Sequence, residues 1–303
     1  VLGPNHELSG FAVVTTWAAA SGVPPIGCLA LGALGAHTCD WPDIDHEGAT
    51  ITKMLKWIPY RIETRRTKDG EVRLSKPTGK GWGPFKDTKG RPMVKRYYFP
   101  SWQVHRFMCR LSECIYDRWA TPADKRDSTR KFGPSFRVHR GFAHSVWCAL
   151  ITGCIWFGIF AALGAWRPGM WPALHPLLGT DGAPLLLAET MALGMISHIG
   201  GDGCTDFGVS PWAPVIRWPD SNTVGGAEIP WFPKAWAGRR YPRMGLWEPM
   251  RFKVNHGVEK VIIAPTLGVC AALSVIGAFI GPGVVATVLG RAVTRLWAAF
   301  AGA

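Results

Sequence analysis

The sequence predicts an all-α, polytopic membrane helical bundle carrying a mixed basic insert, and three observations carry that reading. Three apolar stretches are long enough to cross a bilayer: SVWCALITGCIWFGIFAALGAW (Ser145–Trp166), APLLLAETMALGMISHIG (Ala183–Gly200) and VIIAPTLGVCAALSVIGAFI (Val261–Ile280). A hydrocarbon core of ~30 Å takes roughly 17–25 apolar residues as helix. The chain holds 16 tryptophans, many beside these runs, as in the aromatic belts of membrane proteins. The formal charge of +13 is also unevenly placed. Residues 53–140 hold 23 of the 34 Lys+Arg and 8 of the 21 Asp+Glu, an excess of +15 that leaves about −2 for everything else. An apolar, slightly acidic body thus carries one strongly basic segment.

In chain order, residues 1–50 are expected to form a helical hairpin and an acidic loop. The runs FAVVTTWAAASGV and PPIGCLALGALGA flank Pro24-Pro25, where a turn interrupts helix. The first run lacks a basic n-region, so it reads as part of the fold rather than as a cleaved signal. HTCDWPDIDHEGAT follows, with four carboxylates and two histidines, and no Lys or Arg occurs in the first fifty positions. Residues 51–138 are the basic insert. It is expected to open with a short helix, ITKMLKWI, and to continue through D-G and K-G punctuation as a small hairpin. SWQVHRFMCRLSECIYDRW then has helical apolar spacing at Val104, Phe107, Met108, Leu111 and Ile115.

Residues 139–303 are expected to hold the membrane core. The second span is the weakest by composition, since it includes Glu189 and His198. After the last span, Arg291 and Arg295 lie four apart, as on an interfacial amphipathic helix. The positive-inside rule places the insert in the cytoplasm. The loop 210–254, also net basic and two spans away, falls on the same side. Cys28, Cys148, Cys154 and Cys270 lie inside apolar runs, where cysteine serves as a small hydrophobe. His105, Cys109 and Cys114 form only half of a zinc motif.

Four polar clusters sit at the ends of apolar segments: His6 in GPNHELSG; Asp43, Asp45 and His46 in WPDIDHEG; His139 and His144 in HRGFAHS; His198 and Asp202 in SHIGGDGCTD. If the first hairpin returns to its starting side, all four reach one membrane face. Close carboxylates repel and need a positive charge to offset them. Imidazole with carboxylate suits a divalent zinc, manganese or iron ion. Ionisable groups beside membrane spans are costly to place, which makes them functional candidates.

The same segments, with EPMRFKVNHGVEKVIIAP, resemble the YdjM-like, LexA-regulated inner-membrane proteins, a family labelled as metal-dependent hydrolases. The resemblance covers roughly residues 1–52, 137–215 and 245–275. Its most specific part is HRG-x-x-HS followed by SH-x-x-x-D. It implies a multi-pass protein of the bacterial inner membrane. It also implies His6, Asp43, Asp45, His139, His144, His198 and Asp202 as ligands or their close support, with His46 and Glu259 beside them. The sequence departs from the family in its long insert and in Gly200-Gly201, which weakens the helix between His198 and Asp202.

That ligand set exceeds what one zinc ion uses, so one ion with a full second shell or two ions are expected. The expected chemistry is hydrolysis of a phosphoester, a lipid phosphate or headgroup, at the cytoplasmic membrane face. Asp45 is the candidate to orient or deprotonate water, Arg140 to hold an anionic group, and Glu259 to assist. The competing reading is a non-enzymatic membrane protein with a structural metal, whose insert binds anionic lipid, a protein partner or, less favoured, nucleic acid. A metal transporter is disfavoured, because the ligand types lie at span ends rather than at mid-bilayer.

Overall fold

The computed structural model describes residues 3–45, 101–125, 141–205, 208–219, 237–241 and 259–287, with strand backbone at 58–62, 64–66, 72–74, 85–86, 92–93, 95–99, 223–224 and 227–228. Helix α1 (Gly3–Ala20) and helix α2 (Pro25–Cys39) form the first hairpin. Gly22 takes a positive φ of 79° and the Val23 amide bonds back to the Ala18 carbonyl. Pro25 then occupies the first turn of α2, where its missing N–H is no loss. Helix α1 begins eight residues ahead of the apolar run, so His6 lies within a helical turn rather than in a lead-in loop.

Within the basic segment, backbone pairs run antiparallel: 58–62 with 95–99, 64–66 with 72–74, and 85–86 with 92–93. Helix α3 (Ser101–Trp119) follows. Its Met108, Leu111 and Ile115 pack on a buried cluster that includes Phe142, Cys148 and Met195, as the apolar spacing predicts. Val104 and Phe107 stay 41 % and 61 % exposed. The turn after α3 is fastened by Asp124, which is buried. Its carboxylate accepts from the amide and hydroxyl of Thr121 and from the amides of Arg240 and Tyr241.

The helices after His144 include α4 (Val146–Trp166), the short α5 (Met170–Leu178), α6 (Ala183–Gly203) and α7 (Ala264–Ile280), the last extended by a π-turn from Glu259. Among the described residues, three helical segments are long and apolar enough to cross a membrane: Val146–Trp166, Ala183–Gly203 and Glu259–Ile280. They coincide with the three stretches read from the sequence. Helix α5 is not marked by a long apolar run. It ends at Gly179, in the left-handed conformation, and leads into α6.

Helix α6 is the centre of the bundle: half of its apolar window is buried, against 17 % for the two other candidate spans. The span that composition ranked weakest is therefore the one most enclosed by protein. Gly200-Gly201 leaves the helix intact, since α6 runs on to Gly203. Gly200 itself is exposed with open space beside it, but the flanking His198, Ile199 and Asp202 are buried, and their packing outweighs glycine's low propensity. Side-chain bonds fix the neighbours of α1. Ser9 Oγ lies 2.9 Å from Ser197 Oγ on α6, while the Ser274 hydroxyl on α7 donates to the Ala12 carbonyl at 3.1 Å. Such bonds across helices add about 0.6–2 kcal/mol in a bilayer. The C-terminal Arg291 and Arg295 lie outside the described residues, as does the predicted helix ITKMLKWI except for its last residue, Ile58, which begins a strand instead.

Candidate metal centre

Glycines bring the site helices together. A Cβ on Gly10 of α1 would stand 2.7 Å from both the Cys39 Cβ and the Gly35 carbonyl oxygen of α2. A Cβ on Gly194 of α6 would run into the Thr38 hydroxyl and come within 2.6 Å of the same Gly35 oxygen. Gly10 is one turn after His6, Gly35 one turn before Cys39, and Gly194 one turn before His198. Close approaches of α1, α2 and α6 thus lie one helical turn from the polar cluster and help to set its width.

Five pieces of backbone meet there. His6 comes from α1, Cys39 from the end of α2, and Asp43 from the 3₁₀ turn Trp41–Asp45. His144 comes from the 3₁₀ turn Phe142–His144, and His198 with Asp202 from the last turns of α6. Ser145 fixes the approach of His144. Its hydroxyl donates to the Phe142 carbonyl at 2.7 Å and accepts from the Cys148 amide at 3.1 Å, capping α4 directly behind the histidine.

Three imidazoles surround two carboxylates. His144 Nε2 lies 3.2 Å from Asp43 Oδ1 and 3.4 Å from Asp202 Oδ2. His198 Nε2 lies 3.5 and 3.6 Å from the same two oxygens, and His6 Nε2 lies 3.4 Å from Asp202 Oδ1. The rings of His6 and His198 stack with centroids 3.8 Å apart and planes 17° apart. His6, His144, His198 and Asp202 are 0–2 % exposed, whereas Asp43 is 26 % exposed and forms the open edge. Burial alone would raise the Asp43 pKa, but the imidazoles of His144 and His198 hold its carboxyl well below the usual range. Close by, at the C-cap of α2, burial and the Glu7 carboxylate push Asp40 up to about 7.

These residues fit a bound cation. His198 Nε2 is buried and makes no hydrogen bond among the described residues, although two carboxylate oxygens face it. Most of these separations are longer than a charge-assisted hydrogen bond, which spans about 2.7–2.9 Å. They match the ~3.3 Å edge of a tetrahedron whose centre lies ~2.0–2.1 Å from each ligand, as zinc with nitrogen and oxygen ligands has. Stacked imidazoles also repel if both are protonated, and neutral imidazole is the form that ligates. Ligand atoms of Asp43, His144, His198 and Asp202 lie within 4.8 Å of one another, and so do those of His6, Cys39 and His198. His198 belongs to both groups.

Of the residues expected from the sequence, His6, Asp43, His144, His198 and Asp202 converge. Asp45 lies on the same 3₁₀ turn as Asp43, but its side chain is outside the described residues, as are His46, His139 and Arg140. Glu259 is fully buried at the start of the last span, and its Oε1 accepts from Asn5 Nδ2 at 3.0 Å. It therefore ties that span to α1 one residue before His6, and it falls in neither ligand group. Cys39 is the member that sequence reasoning missed. Its one signal in the sequence was its place at the end of the hairpin, directly before the acidic stretch that begins at Asp40. Neither ligand group contains Cys109 or Cys114.

No curated protein and no solved structure matches this chain. The family model described as YdjM inner membrane protein matches residues 2–280, and the chain, with its buried His–Asp cluster at the end of a candidate membrane helix, belongs to that family.

Proposed function

We propose that the protein is a multi-pass, metal-dependent hydrolase of the inner membrane that acts on a phosphoester at the cytoplasmic face. The observation that carries this reading is the four-residue group Asp43, His144, His198 and Asp202, closed on three sides and open at Asp43. A structural zinc site uses all its positions and is sealed, whereas a catalytic one keeps a position free. With His144, His198 and Asp202 as three protein ligands, the 26 % exposure of Asp43, against 0–2 % for its neighbours, supports a fourth position that water reaches beside Asp43.

Zinc is the favoured ion, with manganese or iron as alternatives, because the donors are imidazole and carboxylate. The adjoining His6–Cys39–His198 group supports a set extending to a second ion. A bound divalent ion supplies Lewis acidity toward a phosphoryl oxygen and acidifies water. Asp202 presents one oxygen to His6 and the other to His144 and His198, so it holds three rings in register. Asp43, at the rim, is placed to orient water entering from the open side. Asp45 is assigned the proton-accepting role, Arg140 the anion-holding role next to His139, and Glu259 the positioning of the first turns of α1 through Asn5. The basic segment 51–138 is assigned to the cytoplasmic surface, where it meets anionic headgroups.

The test uses full-length protein purified in lipid. Wild type is expected to retain a divalent ion and to hydrolyse a phosphodiester, and His198→Ala to lose both the ion and the turnover. Equal turnover by the two proteins would remove the hydrolase reading. A retained ion without turnover on any phosphoester would leave only a structural metal.

A further inference from the structure

A cavity of about 400 Å³ lies between α3, α4, α6 and the Trp41–Asp45 turn, within the roughly 300–1,000 Å³ of small-molecule sites. Trp41, Ile44, Val104, Met108, Thr152 and Trp156 form most of its wall, which is almost entirely apolar. One end touches the ligand cluster through the chain itself: Ile44 follows Asp43, and Ala143, another wall residue, precedes His144. On the other side the wall is α4, a candidate span with only 17 % of its apolar window buried, and its Ile155 is 57 % exposed. The cavity therefore borders the exposed face of α4 on one side and, on the other, the chain neighbours of Asp43 and His144, while no ligand residue itself lines it. Trp41 also carries a buried indole N–H with no hydrogen-bond partner among the described residues. An orphaned donor of that kind costs about 1–3 kcal/mol, and an ester oxygen near the cluster would satisfy it.

We propose that this cavity receives one acyl chain of a membrane phospholipid and so holds that lipid's phosphoester against the open Asp43 edge. The inference rests on the hydrolase reading and deepens it, naming a lipid rather than a soluble phosphoester as the substrate. An apolar cavity beside a candidate span fills from the bilayer that would surround it, whose hydrocarbon gains about 0.8 kcal/mol per buried methylene only where it leaves water. The chain's role is therefore alignment more than affinity. It converts lateral diffusion of a lipid into a fixed approach of its phosphate to the metal ligands.

The experiment embeds the full chain in bilayers containing a phosphatidylglycerol with a photoreactive diazirine at the end of one acyl chain. Adducts are mapped by mass spectrometry. Labels are expected on Met108, Thr152 or Trp156, and Thr152→Trp and Met108→Trp, filling the cavity from opposite walls, are each expected to lower that labelling about tenfold while bound metal stays unchanged. Labelling spread evenly over the exposed faces of α4 and α7 would overturn the proposal, as would labelling indifferent to both substitutions or cross-links to a second copy of the chain. The readout needs no turnover. A labelled cavity without hydrolysis would defeat the hydrolase reading alone, whereas hydrolysis of a soluble phosphodiester by an unlabelled protein would defeat the acyl-chain site alone.

Discussion

Helix α6 and the helices α4 and α7 are all apolar enough to cross a membrane, yet they do different work. Half of the α6 window is buried in protein and only 17 % of each of the others. The difference lies in which residues interrupt the hydrophobic run. In α6 the interruptions are Gly194, which admits α2, and His198 with Asp202, which meet three other segments. In α4 and α7 the large apolar side chains Ile151, Phe157, Val269 and Phe279 stay 44–59 % exposed, facing what a bilayer would supply. Overall apolarity marks a span, while small and ionisable residues within it mark the one that the protein is built around.

That contrast can be broken most forcefully at Asp202. Asp202→Ala removes the carboxylate shared by three histidines, and we expect loss of bound metal together with about 3–5 kcal/mol of stability. Metal analysis and thermal unfolding in a fixed lipid mixture check it; normal metal content would mean that α6 is not the organising helix. Gly194→Leu should follow in size. Its side chain would strike the Gly35 carbonyl, forcing α2 and α6 apart at a cost of about 1–3 kcal/mol, and bound metal should fall even though no ligand is altered. Unchanged metal content there would show that helix spacing does not set the width of the site. At the small end, Val269→Ala on the exposed side of α7 should move stability by less than ~0.5 kcal/mol and leave metal binding alone. A large effect would reveal protein contacts where lipid is expected.

Most of the site was legible because its residues are unusual where they occur. Histidines and aspartates at the ends of apolar runs stand out against Ala, Gly and Leu, and five of them converge. Cys39 did not stand out, since a cysteine in an apolar hairpin reads as one more small hydrophobe. Only the separation of α1 from α2, set by Gly10 and Gly35, gives its sulfur a second meaning. The three spans were legible from length and apolarity. Helix α5 was not, because nine residues with an internal proline give too little periodicity. The centrality of α6 was read backwards at one residue: His198 weakened it as a lipid-facing helix and is fully buried among other segments, whereas Glu189 stays exposed.

The carboxylate of Asp124 takes four donors, two from Thr121 and two from the backbone of residues 240–241, more than a hundred positions away in the chain. Helix α3, which supplies one flank of the acyl cavity, is thereby latched by Arg240 and Tyr241, which belong to neither ligand group. Damage to that latch would loosen the grip on a lipid tail before it disturbed metal retention, so preference among tail lengths and ion content are separable properties of this molecule.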